Sequence, residues 1–231
     1  MPSSPFTIPV ESMKLPEFPE AGHPLVGPCL EQSDLELTQG FQLHPEQGRF
    51  FVAIFCRYGV LTYSLLRNKA RVAMQVDYLF ARLWRNIFYE LRYLPVDASN
   101  APDDFSLQPW VVNKIALCIN QDEVPAIETI QYSLEAASPP LWCYLQMALE
   151  DLPPLSRLLL TLSQVFRWPD SRIAAVLQAE GEEITIEQIQ PKLRYAYRCL
   201  QEALPEDIQT IYLPKGEATS TAEQLTLDQV L

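Results

Sequence analysis

Two long runs of apolar residues at helical spacing constrain this chain more than any other feature. Phe50, Phe51, Ile54, Phe55, Tyr58, Leu61, Leu65 and Leu66 recur at three- and four-residue steps. After Asn68 the pattern resumes through Val72, Val76, Leu79, Phe80, Leu83, Trp84, Ile87, Phe88 and Leu91, and it stops at Pro95. Each run draws one apolar helix face that must be buried against other helices. The opposite face of the second carries Arg71, Arg82, Arg85 and Arg92. A third helix is expected from about Pro109, with proline in the first turn and Trp110, Ile115, Leu117 and Ile119 as apolar positions. No segment alternates for long between turn signals, so strands are not expected and the fold class is all-α.

The rest of the chain arranges itself around this block. Residues 1–30 are rich in Pro and Ser without helical or strand period, and read as a disordered or loosely docked arm. Asp34 to Phe41 is a short helix candidate, broken at His44-Pro45. Residues 31–120 form a first helical domain. Residues 121–140 are acidic and interrupted by proline, a linker with a short helix near Ile127 to Ala136. Residues 141–204 form a second helical domain, and 205–231 a polar, acidic tail expected to be disordered. Twenty prolines against seven glycines fit helices joined by stiff connectors.

Charge is unevenly distributed. The net charge of −12 argues against general affinity for nucleic acid, which needs clustered Lys and Arg. From Glu46 to Leu94, however, eight basic residues face three acids, whereas from Pro95 to Asp151 Lys114 alone faces nine. A basic block is followed by an acidic one.

The five cysteines are scattered, odd in number and never in CxxC spacing, which favours free buried thiols over disulfides or a zinc site. No basic segment followed by an apolar stretch opens the chain, and no apolar run reaches the ~20 residues that span a bilayer, so the expected location is the cytoplasm. His23 and His44 lie beside prolines without clustered carboxylates or thiols, and Gly181 stands outside any phosphate-cradling loop. No paired carboxylates, nucleophile–base set or cofactor motif points to an enzyme, and no metal or cofactor is expected.

The second domain reads Leu152-Pro153-Pro154-Leu155-Ser156-Arg157, then a helix to Phe166, then Trp168-Pro169-Asp170. Ile173-Ala174-Ala175-Val176-Leu177 follows, and later Lys192, Leu193, Ala196 and Leu200. This order resembles region 4 of sigma factors of the extracytoplasmic-function type, a helix-turn-helix introduced by Leu-Pro-Pro with an Ile-Ala-x-x-Leu first helix. The first domain is similar to region 2 of the same family through Ser33-Asp34 to Arg57-Tyr58-Gly59, Phe80 to Trp84 and Pro109 to Ala116. The resemblance covers most of residues 31–204. It implies a bundle and a helix-turn-helix joined by a linker, with core RNA polymerase and promoter DNA as partners and an anti-sigma protein as a possible regulator.

Carried residue by residue, the resemblance assigns polymerase binding to Asp77, Arg82 and Arg85, and DNA binding to Lys192, Arg194, Tyr195 and Arg198. Trp110 lies where the family captures unstacked bases, although core packing is the stronger expectation for it. The chain also departs from the family. Where the docking motif reads Asp-Leu-Val-Gln-Glu, this sequence has Met74-Gln75-Val76-Asp77-Tyr78. Gln121-Asp122-Glu123 stands where basic residues usually follow the third helix, and the turn is lengthened by Ala179-Glu180-Gly181-Glu182-Glu183. Thr185 and Gln188 fit a capping box, and Pro191 is expected to kink or delay the recognition helix. These departures keep a second reading open: a sigma-derived interaction module that has lost promoter recognition.

Overall fold

The computed structural model describes residues 15–70, 72–96, 105–121 and 123–213. Arg71, Asp97, Asp103, Asp104 and Asp122, with most of the arm and most of the tail, lie outside the described residues. The described residues are helical, with no strand among them, as the periodicity requires. In order the helices are α1 (Gly27–Leu30), α2 (Asp34–Leu43), α3 (Arg49–Leu66), α4 (Ala73–Leu91), α5 (Gln108–Gln121), α6 (Pro139–Asp151), α7 (Pro154–Leu160), α8 (Asp170–Ala179), α9 (Ile186–Ala203) and α10 (Glu206–Tyr212).

α3 is the central helix, packed by α1, α2, α4, α5 and α6. By length and composition it could cross a membrane, but Phe51, Val52, Ala53, Ile54 and Phe55 are all fully buried, the pattern of a core helix. Phe51 meets Phe88 and Trp84 edge to face, at 4.8 and 6.0 Å between ring centroids. Phe55 meets Trp84 the same way at 5.0 Å. Such contacts add to the stabilisation from area alone. The buried indole N–H is satisfied: Trp84 Nε1 donates to Thr62 Oγ1 at 3.2 Å, and Thr62 donates to the carbonyl of Gly59 at 2.8 Å.

Local signals set the ends of the elements. Ser33 caps α2 in a reciprocal capping box with Glu36. α4 ends where Gln42 Nε2 donates to the carbonyls of Leu91 and Leu94, both at 2.8 Å. The linker holds a single 3-10 turn, Ile127–Thr129, in place of the short helix expected to Ala136. It lies along α4, where Gln75 Nε2 donates to the carbonyl of Pro125 at 2.8 Å.

Two segments expected to be loose are packed where they are described. Phe18 lies 4.6 Å from Phe55, centroid to centroid, and against Gly59, where a Cβ would come within 2.6 Å of its ring. The missing side chain at Gly59 is what admits the arm. The tail forms α10 as far as Tyr212, with Ile208 fully buried. α6 packs on both α4 and α9, so one apolar cluster runs without a break from Val26 to Ile208.

Candidate nucleic-acid interface

α7, α8 and α9 form a three-helix unit in which α9 packs against both predecessors. Ile173, Ala174 and Leu177 on α8 are buried against Ile189, Leu193, Ala196 and Leu200 on α9, whereas Val176, expected on the α8 stripe with Ile173 and Leu177, is only half-buried. Between them α8 closes in a Schellman motif. Glu182 N–H donates to the Leu177 carbonyl and Gly181 N–H to that of Gln178, with Gly181 at φ +91°. That left-handed position is the reason for the glycine. Gln178 Nε2 then donates to the Ile184 carbonyl at 2.7 Å and secures the turn.

α9 starts at Ile186 with Thr185 and Gln188 as its capping box, as expected. It runs through Pro191 unbroken to Ala203, so the expected delay of the helix does not occur. Pro191 and Glu187, whose carbonyl it leaves without the usual intrahelical donor, are both exposed.

Opposite the buried stripe, helical periodicity places Glu187, Pro191, Arg194 and Arg198 in one outward column with Tyr195 beside it. Arg194, Tyr195 and Arg198 are exposed together, whereas Lys192 is half-buried at the flank. The first outward turn of α9 thus presents Glu187 and Pro191, and the cations come one turn later. Glu180, Glu182 and Glu183 are all exposed on the adjoining turn.

The break at Trp168-Pro169-Asp170 is where the sequence places it, but the form of the junction gave no sequence signal. α7 passes into a π-helical turn, Thr161–Val165, and Arg167 takes a positive φ of 51°. Trp168 then folds back, its N–H donating to the Leu162 carbonyl at 3.1 Å, and Arg172 stacks over its ring at 4.0 Å.

The basic block of the first unit is largely engaged inside the protein. Arg57 Nη1 pairs with Asp34 at 2.6 Å while Nη2 donates to the Leu30 and Gln32 carbonyls. Lys69 Nζ donates to the Ile119 carbonyl at 2.5 Å. Arg92 lies 4.6 Å over the Phe88 ring. Of the residues assigned to polymerase, Arg85 is exposed and lies 5.8 Å over the ring of Trp142 from α6, and Arg82 is half-buried. Asp77 accepts from the Tyr63 hydroxyl at 2.7 Å. Burial pushes its carboxyl up; the Tyr63 hydrogen bond opposes this, and nearby Glu135 adds to it. Trp110 is half-buried with Lys114 Nζ 5.5 Å over its ring.

The residues assigned to DNA therefore share an accessible face, apart from Lys192. Those assigned to polymerase lie beside α6 and the linker. Among the described residues no group of His, Cys, Asp and Glu could hold a metal ion. No family model, curated protein or solved structure matches the chain.

Proposed function

We propose that this chain is a sigma-like protein that acts in transcription initiation, binding core RNA polymerase and promoter DNA in the cytoplasm. The observation that carries the reading is the three-helix unit α7–α9. Its buried stripes, Schellman turn and capping box fall in the order of a helix-turn-helix, behind the Leu-Pro-Pro start. In this reading the chain has two functional domains, a region 2-like bundle over residues 31–120 and a helix-turn-helix domain over residues 141–204, joined by the 121–140 linker. Arg194 and Arg198 meet duplex DNA with Tyr195 beside them and Lys192 on the flank. Asp77, Arg82 and Arg85 face polymerase, and an anti-sigma protein would compete there.

The acidic turn and the internally engaged arginines favour a second reading, a sigma-derived interaction module that binds partner proteins without reading promoters. One experiment separates the two. The purified protein is tested for retention of core RNA polymerase, and the retained complex for start-site-specific transcription. The first reading expects both, with Arg194→Ala/Arg198→Ala lowering DNA affinity and reducing the slope of log K against log salt by about 2. Retention without transcription would move the assignment to the second reading. Failure to retain polymerase would remove the first.

A further inference from the structure

α10 follows α9 after only Leu204 and Pro205, yet it is anchored on the other half of the molecule. Asp207 is buried, and its carboxylate accepts from two backbone donors at the start of α3. Gly48 N–H reaches Oδ1 and Arg49 N–H reaches Oδ2, both at 3.0 Å. Gly48 is the N-cap residue of α3 and Arg49 its first residue, so both N–H groups are among those a helix start leaves without an intrahelical partner. Asp207 supplies them with a carboxylate from 159 residues away in sequence, at the end of the helix that favours negative charge. Ile208 fills the niche beside it: a Cβ on Gly48 would lie 2.3 Å from Ile208 Cγ1 and Cδ1, and 3.2 Å from Tyr144 Cε2.

The other end of α10 is less well satisfied. The Tyr212 hydroxyl is buried beside Ser138 Oγ and Glu20 Oε2, and none of the three reaches good hydrogen-bond geometry. Water would satisfy all three on undocking. A cleft of about 510 Å³, lined by Leu25, Gln47, Arg49, Pro205, Asp207 and Thr210 among others, opens beside the capping carboxylate. Docking is thus better satisfied at one end of the helix than at the other, with solvent close to the capping contact.

We infer that α10 is a releasable clasp. Docked, it ties α9 to the start of α3; released, it leaves α7–α9 held to the bundle chiefly through α6 and freer to shift. In the proposed reading, on which this consequence rests, release is the step that lets the helix-turn-helix and the α4 face engage DNA and polymerase together.

Two variants attack the clasp from opposite sides in the full chain. Asp207→Ala removes the cap acceptor. Gly48→Ala places a methyl group against Ile208 at a position whose φ of −62° suits alanine. Amide hydrogen exchange read by mass spectrometry should show at least about tenfold faster exchange in peptides spanning 44–52 and 205–213 in both variants. The centre of α3 and the α8–α9 stripes should keep their protection. Unchanged exchange at 205–213 in both variants overturns the clasp. So does loss of protection throughout, which would make α10 part of the cooperative core. Retention of core polymerase is then measured on the same proteins, with severalfold tighter binding expected in both variants. Faster local exchange with unaltered polymerase affinity would refute the gating role. Absence of polymerase binding in wild type and variants alike would refute the proposed function while leaving the clasp established by exchange.

Discussion

Arg57 reaches back across 23 residues to hold Asp34, its Nη1 2.6 Å from Oδ1, at a point where neither side chain sees much solvent. The other carboxylate oxygen accepts from the Tyr58 hydroxyl and from Leu107 N–H at 2.8 Å, so one carboxylate ties α2, α3 and the entry to α5 together. Burial alone would raise the Asp34 carboxyl. The hydrogen bonds from Tyr58, Arg57 and Leu107 and the Arg57 charge outweigh it and hold it below the usual range.

Truncating Asp34 to Ala leaves the Arg57 guanidinium buried without its counter-charge, a change that costs about 3–5 kcal/mol. For a chain of this size that is a fall in Tm of roughly 10 °C or more, measurable by circular dichroism. The folded-state pKa is depressed, so this stabilisation is present above the unfolded carboxylate value of about 3.9 and is lost as pH falls through the folded one. The variant should therefore show a shallower acid limb than wild type.

Asp77 has the opposite sign. Its carboxyl is raised in the folded state, chiefly by burial, so its contribution to stability declines as pH rises from about 3.9 through the raised value. Asp77→Asn keeps an acceptor for the Tyr63 hydroxyl and removes the buried charge. It should be at least as stable as wild type at pH 7, with less decline above pH 4, as read from denaturant melts at several pH values. If Asp77 contacts polymerase, the same variant loses retention without losing stability, which separates docking from folding.

The periodicity of 50–66 and 72–91 made α3 and α4 legible in the sequence, because a helix with one apolar face has few other ways to hide it. The Ile173 and Ile189 stripes made α8 and α9 legible for the same reason. The docked arm and tail were not legible, because each depends on a distant residue that lacks a side chain. Phe18 needs Gly59, and Ile208 needs Gly48. Composition marks such segments as loose, and only tertiary contact reverses that. The resemblance alone assigned Arg194, Tyr195 and Arg198 to DNA, whereas their common exposure on α9 follows from helical spacing. The internal engagement of Arg57, Lys69 and Arg92 was not legible, since a charge count cannot tell a solvated cation from one already bonded to carbonyls or stacked on rings.

Pro191 sits in the sixth position of α9 and withholds the N–H that would bond the Glu187 carbonyl. Pro191→Ala restores that donor on an exposed face without touching the core. The expected gain is about 2–3 kcal/mol, seen as a higher denaturant midpoint at unchanged m. A variant no more stable than wild type would mean that the local backbone already accommodates the proline.

The thiols should be slow. Burial pushes Cys56 up to about 12, aided by Glu20, and pushes Cys143 higher still. Cys29 is also raised by burial, with Arg49 opposing and Asp207 adding. The thiolate is the reactive species, so at pH 8 these three should modify at least about 100-fold more slowly in the native protein than in guanidinium. Mass mapping after a short pulse of a thiol reagent checks this residue by residue. In Asp207→Ala, Cys29 should become the first of the three to react if the clasp also shields α1.

Glu180, Glu182 and Glu183 form an exposed acidic rim on the turn leading into α9, next to the face that carries Arg194 and Arg198. Within a Debye length of DNA each carboxylate opposes phosphate approach, and it does so less as salt rises. Neutralising all three to Gln leaves the Schellman turn intact, because that turn is made by backbone donors and Gly181. Affinity for a generic duplex, measured by fluorescence anisotropy, should rise about three- to tenfold at 50 mM salt and converge on wild type near 300 mM. Adding Arg194→Ala/Arg198→Ala should abolish the gain if duplex DNA lies on the α9 face. A gain that survives the loss of both arginines would place DNA elsewhere on the surface, leaving the outward face of α9 without a role in binding it.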